Sequence, residues 1–253
     1  MVKQGKYVYG IIKSKDGGKF DYTGIETGIE TGIENAPLYL LTYKAITAII
    51  SDAPIKHYKP DEEYAMSHRK VVDDIIKKSI IIPAAFGSIF MSVGDVKNIM
   101  RREYGIWNDL LKKMDNKKEY GLKIFWNKEA ILKEIEESNP SVRKIKLDIK
   151  KKETPRLKIQ LKMLLEDELI TTGNKYVNDI HEELKNYSVA SKSNDLIGKK
   201  MIFNGAFLVE NDIEKEFCEK LEKIEKEYSN LDIRWIGPCA PYNFATIRLK
   251  LRS

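Results

Sequence analysis

Three histidines (His57, His68, His181) and two cysteines (Cys218, Cys239) are the side chains best suited to hold a metal or to act as nucleophile and base. They are scattered. No HExxH or CxxC grouping occurs, so neither imidazoles nor thiolates assemble the spacing a zinc site needs. No GxxxxGK[ST] loop, no GxGxxG after a strand and no GxSxG elbow is present either, which removes the common phosphate-binding and acyl-transfer signatures. His181-Glu182-Glu183 could be drawn as an acid–base group, but adjacent residues on a helix point apart, and a solvated face accounts for them. Glu62-Glu63 and Glu136-Glu137 read the same way. The expectation is a protein that is not an enzyme, with no cofactor and no metal.

Two other constellations stand out. Between Ser141 and Lys158 there are eight basic residues (Arg143, Lys144, Lys146, Lys150, Lys151, Lys152, Arg156, Lys158) and two acidic ones (Asp148, Glu153), a local +6. Clustered lysines can bind phosphates by releasing counterions. No aromatic lies in the run, however, so a stacking platform for bases is missing and nucleic acid is the weaker reading beside a solvated helical face. The second is Trp235-Ile236-Gly237-Pro238-Cys239-Ala240-Pro241-Tyr242-Asn243-Phe244. Prolines and a glycine stiffen it, and Trp235, Tyr242 and Phe244 supply apolar area with little rotamer entropy to lose, so it is either a packed core corner or a rigid docking surface.

These residues need positioning elements. Tyr7 to Ile12 reads as a strand stopping at the Ser14-to-Lys19 turn cluster. Thr23-Gly24-Ile25-Glu26 then repeats as Thr27 to Glu30 and Thr31 to Glu34. A glycine at every fourth position disfavours helix, so the region 14–37 reads as an exposed loop insertion. Leu38–Leu41 and Ala45–Ile50 predict a hairpin or bent strand ending at Pro54. From Asp61, Tyr64, His68, Val71, Val72, Ile75 and Ile76 make one helical stripe, ending near Lys78. Ile80 to Phe90 suggests a buried strand entered through a rigid turn, and Asp95 to Met114 a second helix carrying Val96, Ile99, Met100, Ile106, Leu110, Leu111 and Met114.

Tyr120 to Trp126 reads as a further strand. Next come helices over 129–137, after the Asn139-Pro140 cap, and over Leu157–Leu169, with Gly173 to Tyr176 interrupting or restarting the run. Ile145, Leu147 and Ile149 also fit a strand period, and helix is preferred. A helix around Tyr176–Tyr187 leads to a Ser188–Asp195 linker. The chain closes with a strand over Lys200–Val209, a helix over Asp212–Tyr228, and strands over Leu231–Trp235 and Ala245–Leu251.

The predicted class is α+β: a modified ferredoxin-like N-terminal domain over 1–127 and a C-terminal domain over 128–253, with a largely helical connector (128–195) and a small α/β layer (199–252). The 253 residues suit two domains, and 42% hydrophobic with 32% charged residues is the composition of a globular chain with a sizeable core. Net charge is +6, so outside 141–158 the chain is neutral. Two cysteines fit a reducing cytoplasm. With no apolar run near the roughly 18 residues of a membrane span, neither membrane insertion nor export is expected.

In order and spacing, several segments together make a specific pattern. They are Tyr7-Val8-Tyr9-Gly10-Ile11, Ala48 to Asp52, His68, Ile82-Pro83-Ala84-Ala85-Phe86-Gly87-Ser88-Ile89-Phe90, Glu119 to Trp126, Asn204 to Val209 and Gly237 to Phe244. With them the chain resembles the gas vesicle protein F/L family over most of its length. It departs from the family pattern at Ala85, where an arginine is usual, and at Cys239-Ala240, where a tryptophan-proline pair is usual. The resemblance implies a non-enzymatic accessory or minor structural protein of the gas vesicle that assists assembly or nucleation. Its implied partners are the hydrophobic major wall protein and other accessory gas vesicle proteins, and its implied place is the cytoplasmic gas vesicle, on the gas-facing side. Phe86, Phe90, Trp235, Tyr242 and Phe244 are the candidate partner-binding residues. The rival readings are a nucleic-acid-binding module resting on 141–158 and a small-molecule-sensing ferredoxin-like domain resting on fold analogy.

Overall fold

The computed structural model describes residues 3–24, 31–59, 62–198 and 200–247. The protein is α+β and divides into two units: Met1–Glu119 with Pro238–Ser253, and Tyr120–Gly237. This differs from the expected boundary at 127/128, because the last segment of the chain belongs with the first unit.

The first unit is organised by β1 (Gln4–Gly24), which pairs antiparallel with β2 (Leu38–Pro54). The ladder runs from Gln4↔Pro54 to Lys13↔Ile46, shifts register on either side of Gly18↔Lys44, and continues from Asp21↔Thr42 to Gly24↔Tyr39. Lys44, at φ 51°, marks the irregularity on β2, so the two apolar runs of the sequence form one bent strand. The expected turn at 14–19 is instead part of the strand, with Gly18 paired to Lys44. The 14–37 loop reading is therefore corrected: β1 reaches Gly24, and Ile33–Asn35 form a short 3-10 turn with Ile33 fully buried. Residues 25–30 of the repeat lie outside the described residues.

The predicted strand over 80–90 is two, β3 (Ile81–Pro83) and β4 (Ile89–Phe90), both antiparallel to β1. The chain turns between them at Gly87, whose φ of 80° is a conformation other residues resist. Two helices complete the unit. In α1 (Glu62–Ile76) the stripe holds, with His68, Val71, Val72 and Ile75 buried. In α2 (Val93–Met114) Ser92 caps the start, accepting from Asp95 N at 3.2 Å. Its buried stripe is Val96, Met100, Trp107, Leu111 and Met114. Ile106 is off that face and 61% exposed, so Trp107 takes the core position expected of Ile106.

The second unit carries a sheet in the order β6-β7-β5-β8, from β5 (Lys117–Trp126), β6 (Ala190–Ser193), β7 (Met201–Glu210) and β8 (Leu231–Cys239). β6 pairs antiparallel with β7 and falls where a linker was expected. The unit boundary lies inside β5 and again inside β8. Alternation on β5 puts Tyr120, Leu122 and Ile124 in the core, where they meet Phe203, Phe207 and Val209 of β7. Phe217, Leu221 and Ile224 of α6 (Glu214–Glu227) complete that layer at helical spacing.

Three helices lie between β5 and β6: α3 (Lys128–Ser138), α4 (Pro140–Lys151) and α5 (Pro155–Lys185). Ile131, Ile135, Val142, Ile180 and Leu184 place them in the same core as the sheet. Residues 144–150 are helical. Gly173-Asn174 does not interrupt α5, and Gly173 lies against the Trp126 ring.

Candidate functional site

The five candidate aromatics differ in burial and in the unit that carries them. Phe90 sits in β4 at 7% exposure and is core packing, in a strand paired antiparallel with β1. Trp235 is half-buried on β8 in the second unit, with its ring centroid 6.4 Å from that of Tyr120. Phe86, Tyr242 and Phe244 are the half-buried ones of the first unit, and Phe86 and Tyr242 pack against the same apolar cluster.

A backbone bridge joins the two segments that carry them. Ala85 N donates to Ile247 O at 2.9 Å and Ile247 N to Pro83 O at 2.9 Å, a parallel bridge centred on Ala84 and Ile247. The predicted strand over 245–251 is thus a single bridge at Ile247; residues 248–251 lie outside the described residues.

Each segment is pinned by polar groups beneath it. Under the 84–88 turn, Gly87 N donates to the Tyr7 hydroxyl at 2.8 Å, and Tyr7 Oη lies 3.0 Å from His68 Nδ1. The direction of that bond follows the imidazole tautomer, and the other ring nitrogen is Nε2. That nitrogen finds no hydrogen bond of good geometry, only the weaker influence of the Ala84 backbone. Burial therefore holds His68 neutral, its pKa pushed down to about 4. Phe86 packs edge-on to the imidazole at 5.8 Å, and Tyr9 stacks on it at 5.6 Å.

Tyr9 in turn ties the repeat down: Ile33 N donates to its hydroxyl at 2.7 Å, and Ser51 Oγ lies 2.9 Å away. Burial raises the pKa of Tyr7, Tyr9 and Tyr242 above the usual phenol value, so these hydroxyls act as hydrogen-bonding groups.

The C-terminal segment is held by Glu119, buried on β5, which accepts from Asn243 N and Nδ2. Tyr242 N donates to Ala240 O at 2.7 Å and Ala245 N to Pro241 O at 2.7 Å, a compact turn that fixes Phe244. Burial, with Asp73 nearby, pushes the Cys239 thiol up, so it is not an activated nucleophile.

Elsewhere, the His181 neighbours are engaged in structure. Its ring lies among Phe203 and Phe207 with Nε2 3.0 Å from Ser191 Oγ, while Glu182 pairs with Lys185 and Glu183 with Lys220. Among the described residues no group of three or more His, Cys, Asp or Glu could hold a metal, and no helix is long and apolar enough to cross a membrane.

The residues that sequence reasoning missed are Tyr7, Tyr9, Ser51, Glu119 and Asn243 as supports. The available signal was the spacing of Tyr7 and Tyr9, two apart on one strand face beside a helical histidine.

Residues 5–246 match the profile of the family described as gas vesicle synthesis protein GvpL/GvpF. Gas vesicle protein F of Dolichospermum flosaquae is 26% identical, over 95% of this chain and 97% of its own length. Two solved structures share the fold. The crystal structure of GvpF from Anabaena sp. PCC7120 superposes with a TM-score of 0.80 at 23% identity, covering 97% of this chain and all of that one. That of GvpF from Microcystis aeruginosa gives 0.73 at 24%, covering 96% and 99%. The end-to-end match, over both units and both pinned segments, means that this chain belongs to the GvpL/GvpF family of gas vesicle accessory proteins.

Proposed function

We propose that the protein binds the apolar wall-forming protein of the gas vesicle and, with other gas vesicle proteins, assists assembly at the vesicle. The observation that carries this reading is the family match over residues 5–246. The physics supports it. A subunit that presents an apolar face to gas aggregates through that face unless another protein covers it first.

Phe86, Tyr242 and Phe244 are the proposed contacts. They are half-buried, and both segments bearing them are immobilised from below by Tyr7, His68 and Glu119, so little side-chain freedom is lost on docking. Trp235 is a second contact of the same kind in the other unit, whereas Phe90 now serves as the core control.

The test is co-expression with the wall protein, followed by affinity capture and size-exclusion chromatography at two salt concentrations. A complex that keeps the wall protein soluble and survives the higher salt is expected. Phe86→Ala and Tyr242→Ala should release it with melting temperatures near wild type, whereas Phe90→Ala should lower the melting temperature. Release that tracks lost stability in all three would sink the site; no complex from well-folded protein would sink the function.

A further inference from the structure

The second unit carries a surface of a different character. α4 is fixed at its start by Asn139, whose side chain accepts from Ser141 N at 2.8 Å and Val142 N at 3.2 Å, with Pro140 in the first turn. Val142 and Ile145 bury its inner side. On the outer side Leu147 is 56% exposed. The positions three and four residues before and after it are Lys144, Arg143, Lys150 and Lys151, all exposed. An apolar side chain thus stands at the centre of four cations, since such positions are surface neighbours on a helix.

The chain offsets this ring only in part, since Asp148 stands one helical turn from Lys144 and Lys151 but forms an ion pair with neither among the described residues. Lys146 pairs with Glu136 and Lys158 with Glu153, while the Arg143 guanidinium donates to the Glu137 carbonyl oxygen at 2.6 Å, which leaves its charge uncompensated. Lys144, Lys150, Lys151, Lys152 and Arg156 have no carboxylate partner among the described residues. The helix dipole explains Lys150 and Lys151, which stand in the last turn. It does not explain Arg143 and Lys144, toward the end where cations are disfavoured and where the first turn holds no acidic residue.

We propose that the outer face of α4, centred on Leu147 and ringed by Arg143, Lys144, Lys150 and Lys151, docks an acidic amphipathic helix of a protein partner. Such a helix lays one apolar side chain on Leu147 and aligns its Asp or Glu residues with the four cations, while the lysine stems add apolar contact. A nucleic acid offers no matching apolar group for Leu147, and 141–158 contains no aromatic on which bases could stack. This surface stands apart from the wall-protein reading, and its test does not use the wall protein.

The test measures fluorescence anisotropy of the full chain with three probes: a labelled peptide of repeating Leu-Glu-Glu-Leu-Glu-Lys-Glu, a poly-glutamate peptide of equal length, and a DNA duplex. The amphipathic peptide is expected to bind at least about tenfold more tightly than poly-glutamate, with affinity falling as salt rises. Leu147→Ser should reduce its affinity about tenfold without moving the melting temperature, and Lys144→Glu with Lys151→Glu should abolish binding. Equal binding of the two peptides, tighter binding of the duplex, indifference to Leu147→Ser, or no binding at all would each overturn the proposal. In cells expressing gas vesicle genes, a photo-crosslinker at position 147 should join to an Asp/Glu-rich helical segment; adducts with nucleic acid, or with segments lacking acidic excess, would overturn it.

Discussion

The carboxylate of Glu119 grips Asn243 twice, accepting from the side-chain amide at 2.6 Å and from the backbone N–H at 2.8 Å, across 124 residues of chain. Because the acid is buried, removing it leaves two donors unpaired, which costs about 2–4 kcal/mol. Glu119→Ala is expected to lower the unfolding free energy by that amount, and with it the urea midpoint. Glu119→Gln should cost less, since one oxygen still accepts. Equal midpoints for Ala and wild type in urea titrations would remove Glu119 as the anchor of the C-terminal segment.

His68 makes stability depend on pH. Its folded pKa of about 4 lies below the unfolded value of 6.5, so the unfolded chain takes up a proton first as pH falls. Stability is full above pH 6.5 and is lost progressively down to pH 4, by about 3 kcal/mol in all. Unfolding free energies of wild type and His68→Asn should therefore converge as pH falls through that window. Parallel curves would mean that His68 is not held neutral.

The last copy of the repeat is a packed element. Ile33 is fully buried and its N–H is taken by Tyr9, so Ile33→Ala should cost about 2–4 kcal/mol through the cavity it leaves. Tyr9→Phe should cost about 1–3 kcal/mol through an unpaired buried donor. Deleting 23–34 is then expected to lower the melting temperature clearly, against the loop reading. Calorimetry of the three variants checks this, and an unchanged melting temperature for Ile33→Ala would refute it.

Gly173→Ala weighs helix propensity against packing. Alanine gains about 1 kcal/mol in a helix interior, but its Cβ would stand 2.7 Å from the Trp126 ring, and overpacking costs about 1–3 kcal/mol. A net loss near 1 kcal/mol is expected, with altered Trp126 fluorescence. A stabilised variant with unchanged fluorescence would show that the ring yields freely.

What was legible in the sequence was local. The stripe of α1, the Asn139-Pro140 start of α4, the face of α6 and the strand cores of β1, β5 and β7 all follow from period and capping, which act over a few residues. The helix preferred for 144–150 was right because it begins at a cap with proline in the first turn. The family resemblance was legible too, since it lies in the order of short motifs.

Tertiary structure decided what depends on distant partners. Ile33 is buried because Tyr9 reaches it, and Gly173 stands inside an unbroken helix where Trp126 fills the space a side chain would need. The unit boundary moved because Glu119 and Ala84 capture Asn243 and Ile247. A hydrogen bond or a close approach between residues a hundred positions apart leaves no periodicity in either segment. For that reason the candidate aromatics could be named from sequence, but only the fold separated Phe90 in the core from half-buried Phe86 and Tyr242 above their pinned segments.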